Sequence, residues 1–504
     1  MKRYLQLVAL ATVTVLMIGC SADRGEEETV DQSKAFAFSG VTVIDGRGGE
    51  ALTNYTVVVR NGLIDAVQPA GTVNLEGVKE INSQGKYLIP GLWDLHAHTF
   101  AESAIYDLYL EAGVTTIRDM GCSAECTQQL QQRREISKLD PATGPRMTIS
   151  GPMIDGDSPY DGYAFHHQVS LSTIPDAIDL LTELKVDFVK VRDFLSAEEF
   201  YAIVDAADAA GLKIAGHIPT AVPAQDAVRA GMHTVEHEGS LFGGLLLATS
   251  ADEDALRLEM LQYMQEAVES GNVEELYAKA LGADFMGRMV QSYDLDKAAD
   301  LVQSFVDSGA AIVPTFIVQD PQLRSSNPVF NGRDRASDPA MQLVPEYLKD
   351  KWRATAETYV LDQPFSVADH AAMAQQYVLL MALVGQMHQA GVPVLAGTDT
   401  SFPDYSPWVW PGYGSHDELE LLVKAGLTPA EAIAASSGRA ASHLAVENVG
   451  TIEEGKVADL VLLAADPLAD IRNTTKIVDV IFNGEFVDRE ALAKRRNEVL
   501  LDSQ

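Results

Sequence analysis

The feature that most limits the folds open to this chain is a repeated alternation between residues 92 and 399. Eight short apolar runs, at 92–98, 115–119, 146–150, 188–192, 213–217, 234–237, 311–315 and 392–399, each read as a strand. Stretches with helical spacing lie between them. A parallel neighbour is reached only by a crossover long enough to hold a helix, so this alternation implies a parallel sheet. Eight units are the number that closes a (β/α)8 barrel. The last helices are well marked, with Thr428 as N-cap, Pro429 at N1 and Glu431 at N3. Two mostly helical excursions, 256–307 and 319–390, follow the sixth and seventh strands and would roof the C-terminal face of the barrel.

The flanks read differently. Val57-Val58-Val59-Arg60, then Asn61-Gly62, then a second apolar run at 63–67 is a hairpin signal. It recurs as Val478-Asp479-Val480-Ile481-Phe482, Asn483-Gly484, Glu485-Phe486-Val487. Neither flank has enough strands to bury a core alone. The expectation is that 36–89 and 446–488 pack together as one small β-sandwich. That leaves 90–445 as the barrel and 489–504 as a C-terminal tail, an α/β architecture overall.

The first residues need a separate reading. A positive start, Met1-Lys2-Arg3, precedes a mostly apolar run at 5–18 that is short for a membrane span and suits a signal peptide. Gly19-Cys20 resembles the end of a bacterial lipoprotein signal, with Met17 where leucine is usual. The expectation is a signal peptide over 1–20, a lipid on Cys20, and an acidic tether over 21–35. The protein would then be anchored to a membrane and face the periplasm. An ordinary secretory signal, giving a soluble periplasmic or secreted protein, is the alternative. Cys122 and Cys126, the other two cysteines, could close a small disulfide loop in such a compartment, or stay as free thiols. The net charge of -35 excludes a nucleic-acid partner, whose phosphates would be repelled, and suits solubility in high salt.

Polar groups gather where the strands end. Residues two apart on a strand face the same way, so His96 and His98 point together with Leu92 and Asp94. Lys190 lies near the end of the fourth strand, on a face otherwise apolar at Val186 and Phe188. His217 ends the fifth strand, His237 the sixth and Asp399 the eighth. Each alone has a plain explanation: a surface lysine, a satisfied core histidine, a helix cap. Six at the C-terminal ends of barrel strands make a converging site, and imidazole and carboxylate are metal ligands.

In this combination the chain resembles the amidohydrolase superfamily. Residues 90–98 match its entry motif, Gly397-Thr398-Asp399 its closing strand, and 450–461 its return to the flanking strands. The resemblance covers about 41–487. A lysine at position 190 is similar to the binuclear branch that holds prolidase-like and imidazolonepropionase-related members, and 414–422 resembles that branch too. The resemblance implies that carbon dioxide converts Lys190 to a carbamate bridging two divalent cations, zinc before manganese, iron or cobalt. One cation would sit on His96, His98, the carbamate and Asp399, and the other on the carbamate, His217 and His237. A bridging water would be the nucleophile, with Asp399 as base and then acid. The implied activity is cleavage of amide bonds, in dipeptides or N-acyl amino acids. The same centre acting on lactones or phosphoesters is one alternative, and a lipoprotein that only binds is another.

Substrate contacts are less legible. The loop after the third strand carries Tyr160, Tyr163, His166 and His167, which could hold a carboxylate or a ring, or only pack the barrel mouth. His416 could reach the site from the last loop or stabilise local backbone. Arg192 follows Lys190 at the same parity and could bind a substrate carboxylate, or pair with Asp187 or Asp193. His233 reads as structural, and His370, His388 and His443 as solvent-facing or packing residues. The partner implied is a small-molecule substrate, and barrels of this kind often form homo-oligomers.

Overall fold

A computed structural model describes residues 35–502, apart from 101–102, 140–142, 161–164, 240–242, 321–327, 339–340, 343, 345, 357–364 and 402–407. The expected signal peptide, the tether to residue 34, and Cys20 lie outside the described residues.

The two ends of the chain meet in one eight-stranded sheet. Across it run Glu485–Phe486, Ile477–Phe482, Leu460–Leu463, Tyr87–Pro90, Phe36–Val43, Leu52–Arg60 and Leu63–Pro69, with Lys79–Asn82 also paired to Phe36–Val43. The join is antiparallel, with Leu460 opposite Pro90 and Leu463 opposite Tyr87. A single ladder therefore stands where two packed sheets were expected. It curls back on itself, because Ile64 N donates to Lys456 O and Gly455 N donates to Ile64 O. Phe38, Val41, Val57, Leu88, Leu460 and Ile481 fill the space it encloses.

Both Asn-Gly hairpin turns form. Asn61 and Gly62 have φ of 50° and 82°, and Asn483 and Gly484 have φ of 51° and 75°, the left-handed pair that a two-residue hairpin turn requires. The turns also touch. A Cβ on Gly484 would lie 2.3 Å from Gly62 Cα, so a side chain there is excluded by space as well as by φ.

Between the ends, apart from the short antiparallel pair Val329–Phe330 and Arg333–Asp334, the described strands are parallel and fall into two sheets. One holds His166–Gln168, Met153–Asp155, Phe188–Val191, Lys213–Gly216, Met232–Glu236 and Ala311–Val313; the other holds Thr400–Ser401, Leu92–His98, Val114–Asp119 and Arg146–Ile149. Seven of the eight expected strands appear within two residues of their anticipated bounds.

The eighth differs. Over 392–399 only Val394 bridges, to Ile312, before the two-residue strand Thr400–Ser401. Pro393 has no N–H to give a ladder, and Asp399 has φ of 52°. The segment still ties its neighbours together: Leu395 N donates to Ile312 O on one side, and Leu95 N donates to Ala396 O on the other. At the second seam Asp187 N donates to Ile149 O. The hydrogen-bonded ladder is therefore interrupted at two seams.

The first excursion forms the helices Glu253–Ser270, Val273–Ala280, Ala283–Gln291 and Leu295–Ser308. The second ends in the helix Val367–Gln389, which is long and apolar enough to cross a membrane by composition. Its Leu380, Leu383, Val384 and Met387 are instead buried in the main core.

Candidate metal centre

The strand Leu92–His98 carries two irregularities in its pairing with Val114–Asp119, and such bulges re-aim side chains. Asp94 anchors its end. It is fully buried, accepts from Thr398 N at 2.9 Å and Thr398 Oγ1 at 2.6 Å, and so fixes the residue beside Asp399. Burial raises its pKa to about 6 against those bonds.

Four imidazoles and one carboxylate converge there. Asp399 Oδ1 lies 3.4 Å from His96 Nε2 and 3.3 Å from His98 Nε2, and its Oδ2 lies 3.9 Å from His237 Nε2. The His96 and His237 ring centres are 4.6 Å apart, and those of His217 and His237 are 4.9 Å apart. His96, His98 and Asp399 present ligand atoms all within 4.8 Å of one another.

The far side of every ring is held. His96 Nδ1 meets Glu236 Oε2 at 2.8 Å, His98 Nδ1 meets Gly121 O at 3.4 Å, His217 Nδ1 meets Asp193 Oδ2 at 2.7 Å, and His237 Nδ1 meets Thr315 Oγ1 at 2.7 Å. An Nδ1 engaged in this way leaves Nε2 as the free lone pair, which is how outer groups orient metal-binding imidazoles. His96 Nε2 is buried with no hydrogen-bond partner, an orphan that a cation would satisfy.

The protonation states agree with that role. Burial holds His96 and His217 well below their ordinary value and His237 at about 4, so the rings are neutral at pH 7. Burial opposes charge on Asp399, but the imidazoles of His96, His237 and His98 hold its carboxyl well below the usual range. Neutral imidazoles around an ionised carboxylate are the state a cation needs.

Lys190 is buried beside this cluster, and burial pushes its ammonium down to about 7. Gly216, with φ of 130°, makes room for it, since a Cβ there would stand 3.0 Å from Lys190 Cδ and 2.3 Å from Val191 O. Three non-glycine residues at the site, His237, Thr315 and Asp399, have positive φ of 57°, 45° and 52°. Such strain persists only where surrounding structure enforces it.

The supporting groups were not singled out from the sequence. Arg118 is buried and donates to Leu95 O, Thr234 Oγ1 and Glu236 Oε1 at 2.6, 2.9 and 2.7 Å, which clamps Glu236 behind His96. Glu418, also buried, accepts from Phe316 N and Ile317 N just beyond Thr315. An acidic residue next to a strand-end histidine was the available signal for Glu236.

The remaining candidates are placed as follows. Tyr160 OH meets Tyr277 OH at 2.8 Å, so the first excursion closes over the third loop. His166 lies 3.8 Å from Asp155 and 5.4 Å, ring to ring, from Tyr160, while His167 is half-buried in the same short strand. Tyr163 lies outside the described residues. His416 bonds to local groups and not to the ligand cluster. Its Nδ1 meets Thr474 Oγ1 at 3.0 Å and its Nε2 meets Ala112 O at 2.9 Å, so both ring nitrogens serve local packing and none is left for a substrate. Cys122 and Cys126 are joined as a disulfide, directly after the Gly121 carbonyl that meets His98. His233 and His443 stack at 4.1 Å, each ring bonded to the other's carbonyl.

The sequence matches the Amidohydrolase family over residues 380–487. No curated protein matches it. Several solved structures share its fold. Bottromycin amidohydrolase is 21% identical with a TM-score of 0.66, over 94% of this chain and 91% of its own. A Bifidobacterium longum protein assigned as a prolidase is 23% identical with a TM-score of 0.60, over 92% and 99%. A Xaa-Pro dipeptidase, solved with methionine in its active site, is 17% identical with a TM-score of 0.60, over 90% and 99%. The family match takes in Asp399 and the return to the flanking sheet, and these solved structures share the fold of the chain.

Proposed function

We propose that the centre holds two divalent cations and cleaves the amide bond of dipeptides or N-acyl amino acids. The observation that carries this is the convergence of three Nε2 atoms, those of His96, His98 and His237, on the Asp399 carboxylate, with the His217 ring 4.9 Å from that of His237 and every ring fixed from behind. We read the two parallel sheets as parts of one (β/α)8 barrel, with this site at its C-terminal mouth.

His96, His98 and Asp399 would hold one cation, and His217 and His237 the other. Lys190, buried nearby, would complete the ligand set of both. A free ammonium cannot ligate, so the reading includes its carboxylation: the amine nitrogen bonds the carbon of carbon dioxide and releases a proton. A buried amine with its pKa near 7 is available for that step at neutral pH. Imidazole with carboxylate suits zinc. When bound, the cations would supply an acidic water and polarise the scissile carbonyl. Asp399 would accept the proton of that water and deliver it to the leaving nitrogen as the C–N bond breaks and a C–O bond forms. Lipid anchoring through Cys20, facing the periplasm, is proposed from the signal-like start of the chain.

The experiment is hydrolysis by the protein lacking residues 1–20, supplied with zinc and bicarbonate. Dipeptides, N-acyl amino acids, lactones and phosphotriesters form the panel, with Asp399→Asn as control. Cleavage of amide substrates, reduced at least about 1,000-fold in the control, is expected. Turnover confined to lactones or phosphotriesters would overturn the substrate class.

A further inference from the structure

We propose that Arg192 binds a free carboxylate on the substrate, adjacent to the scissile amide. This rests on the amide-hydrolase reading above and narrows it. Arg192 follows the strand Phe188–Val191 two residues after Lys190, and its charge is felt at Lys190, His217, His237 and His166. It therefore lies close to the candidate ligands, between Asp193 and the Tyr160 ring of the third loop. Its side chain is 13% exposed.

What marks it is the lack of a proper partner. Arg192 Nε is buried with no hydrogen bond, and among the described residues none of its nitrogens makes one. The nearest carboxylate oxygen, Asp193 Oδ2, stands 3.6 Å away and is already engaged by His217 Nδ1 at 2.7 Å. Asp187 is turned to Arg134 Nη1 at 2.7 Å and to Ile149 N at 2.8 Å. Asp155 spends one oxygen on Gly156 N and Phe194 N, and burial raises its pKa to about 7. Of the two ion pairs that the sequence offered for Arg192, the one with Asp187 is not made, and the one with Asp193 is a 3.6 Å contact without a hydrogen bond. Leaving a guanidinium largely buried without hydrogen bonds is costly, and the planar fork of donors matches a carboxylate.

The surroundings suit an amino acid. The Tyr160 ring lies 6.0 Å from the guanidinium, and packs against Phe194 and His166 at 5.9 and 5.4 Å. Phe165 contacts both His166 and Phe100, and Phe100 stacks on His98 at 6.0 Å. Aromatic rings thus run from Arg192 to the candidate ligand His98. A substrate with its carboxylate on Arg192 and its amide at the metal centre would lay its side chain against them. That geometry selects N-acyl amino acids and dipeptides with free C-termini, and disfavours amides lacking the acid.

The test pairs each cleaved substrate with its decarboxylated analogue, the same N-acyl amine without the acid. The wild type is expected to prefer the acid by at least about 100-fold in kcat/KM, as a site built for a polar group rejects an analogue lacking it. Arg192→Gln should abolish the preference to within about 3-fold, mainly through KM, with metal content unchanged, and Arg192→Lys should restore part of it. Equal use of acid and analogue by the wild type, or a preference surviving in Arg192→Gln, overturns the assignment. Calorimetric titration of the zinc-loaded Asp399→Asn protein with N-acyl amino acids separates the two readings. Binding that vanishes on adding Arg192→Gln supports the carboxylate site even without turnover, in which case the hydrolase reading fails alone. Absence of binding and turnover together removes both.

Discussion

Glu236 shows how much of this site depends on residues that never touch a ligand. It joins Arg118 to His96 Nδ1 through bonds of 2.7 and 2.8 Å in a fully buried setting. Glu236→Gln should keep the shape but lose the charge that holds the ring and its tautomer. Metal affinity is expected to fall about 10–100-fold, with activity recovered at saturating zinc. Dialysis against a graded chelator series reads this directly, and an unchanged affinity would make Glu236 a packing residue only. His96, His98, His217, His237 and Asp399, which the structure draws together, could be singled out because strand ends announce themselves in sequence. Glu236 was not, since alternation would place it and His237 on opposite faces. The positive φ at His237 breaks that alternation, and both residues are buried. For a related reason the sequence left His416 open between the site and local packing. Its partners, Thr474 and Ala112, lie 58 and 304 residues away in sequence.

At the scale of elements, the Asn-Gly turns were plain, but their contact was not. Gly484 and Gly62 meet across a span that no local pattern encodes, and that contact helps unite the two ends of the chain. Gly484→Ala puts a methyl against Gly62 at φ of 75°, and about 2–3 kcal/mol of stability should be lost. In thermal unfolding Tm should fall by several degrees while activity at low temperature persists. A melting curve identical to wild type would mean the turns separate freely. The eighth strand was over-read because 392–399 is apolar like its fellows, whereas Pro393 and the positive φ at Asp399 remove it from the ladder. The short strands Met153–Asp155 and His166–Gln168 were missed because three residues carry no periodicity.

For the whole molecule, alternation and flanking hairpins were enough to anticipate a parallel α/β body with a sheet built from both chain ends. They could not anticipate how the excursions meet the site, because Tyr277 reaches Tyr160 through tertiary packing alone. Yet the substrate would be chosen at that meeting, beside Arg192. The central claim concerns a metal centre bridged by Lys190, and metal stoichiometry tests it most directly. Wild-type protein prepared with zinc and bicarbonate is expected to retain two metals per chain, and Lys190→Ala at most one, with hydrolysis lowered at least about 100-fold. Two metals and full activity in Lys190→Ala would contradict it.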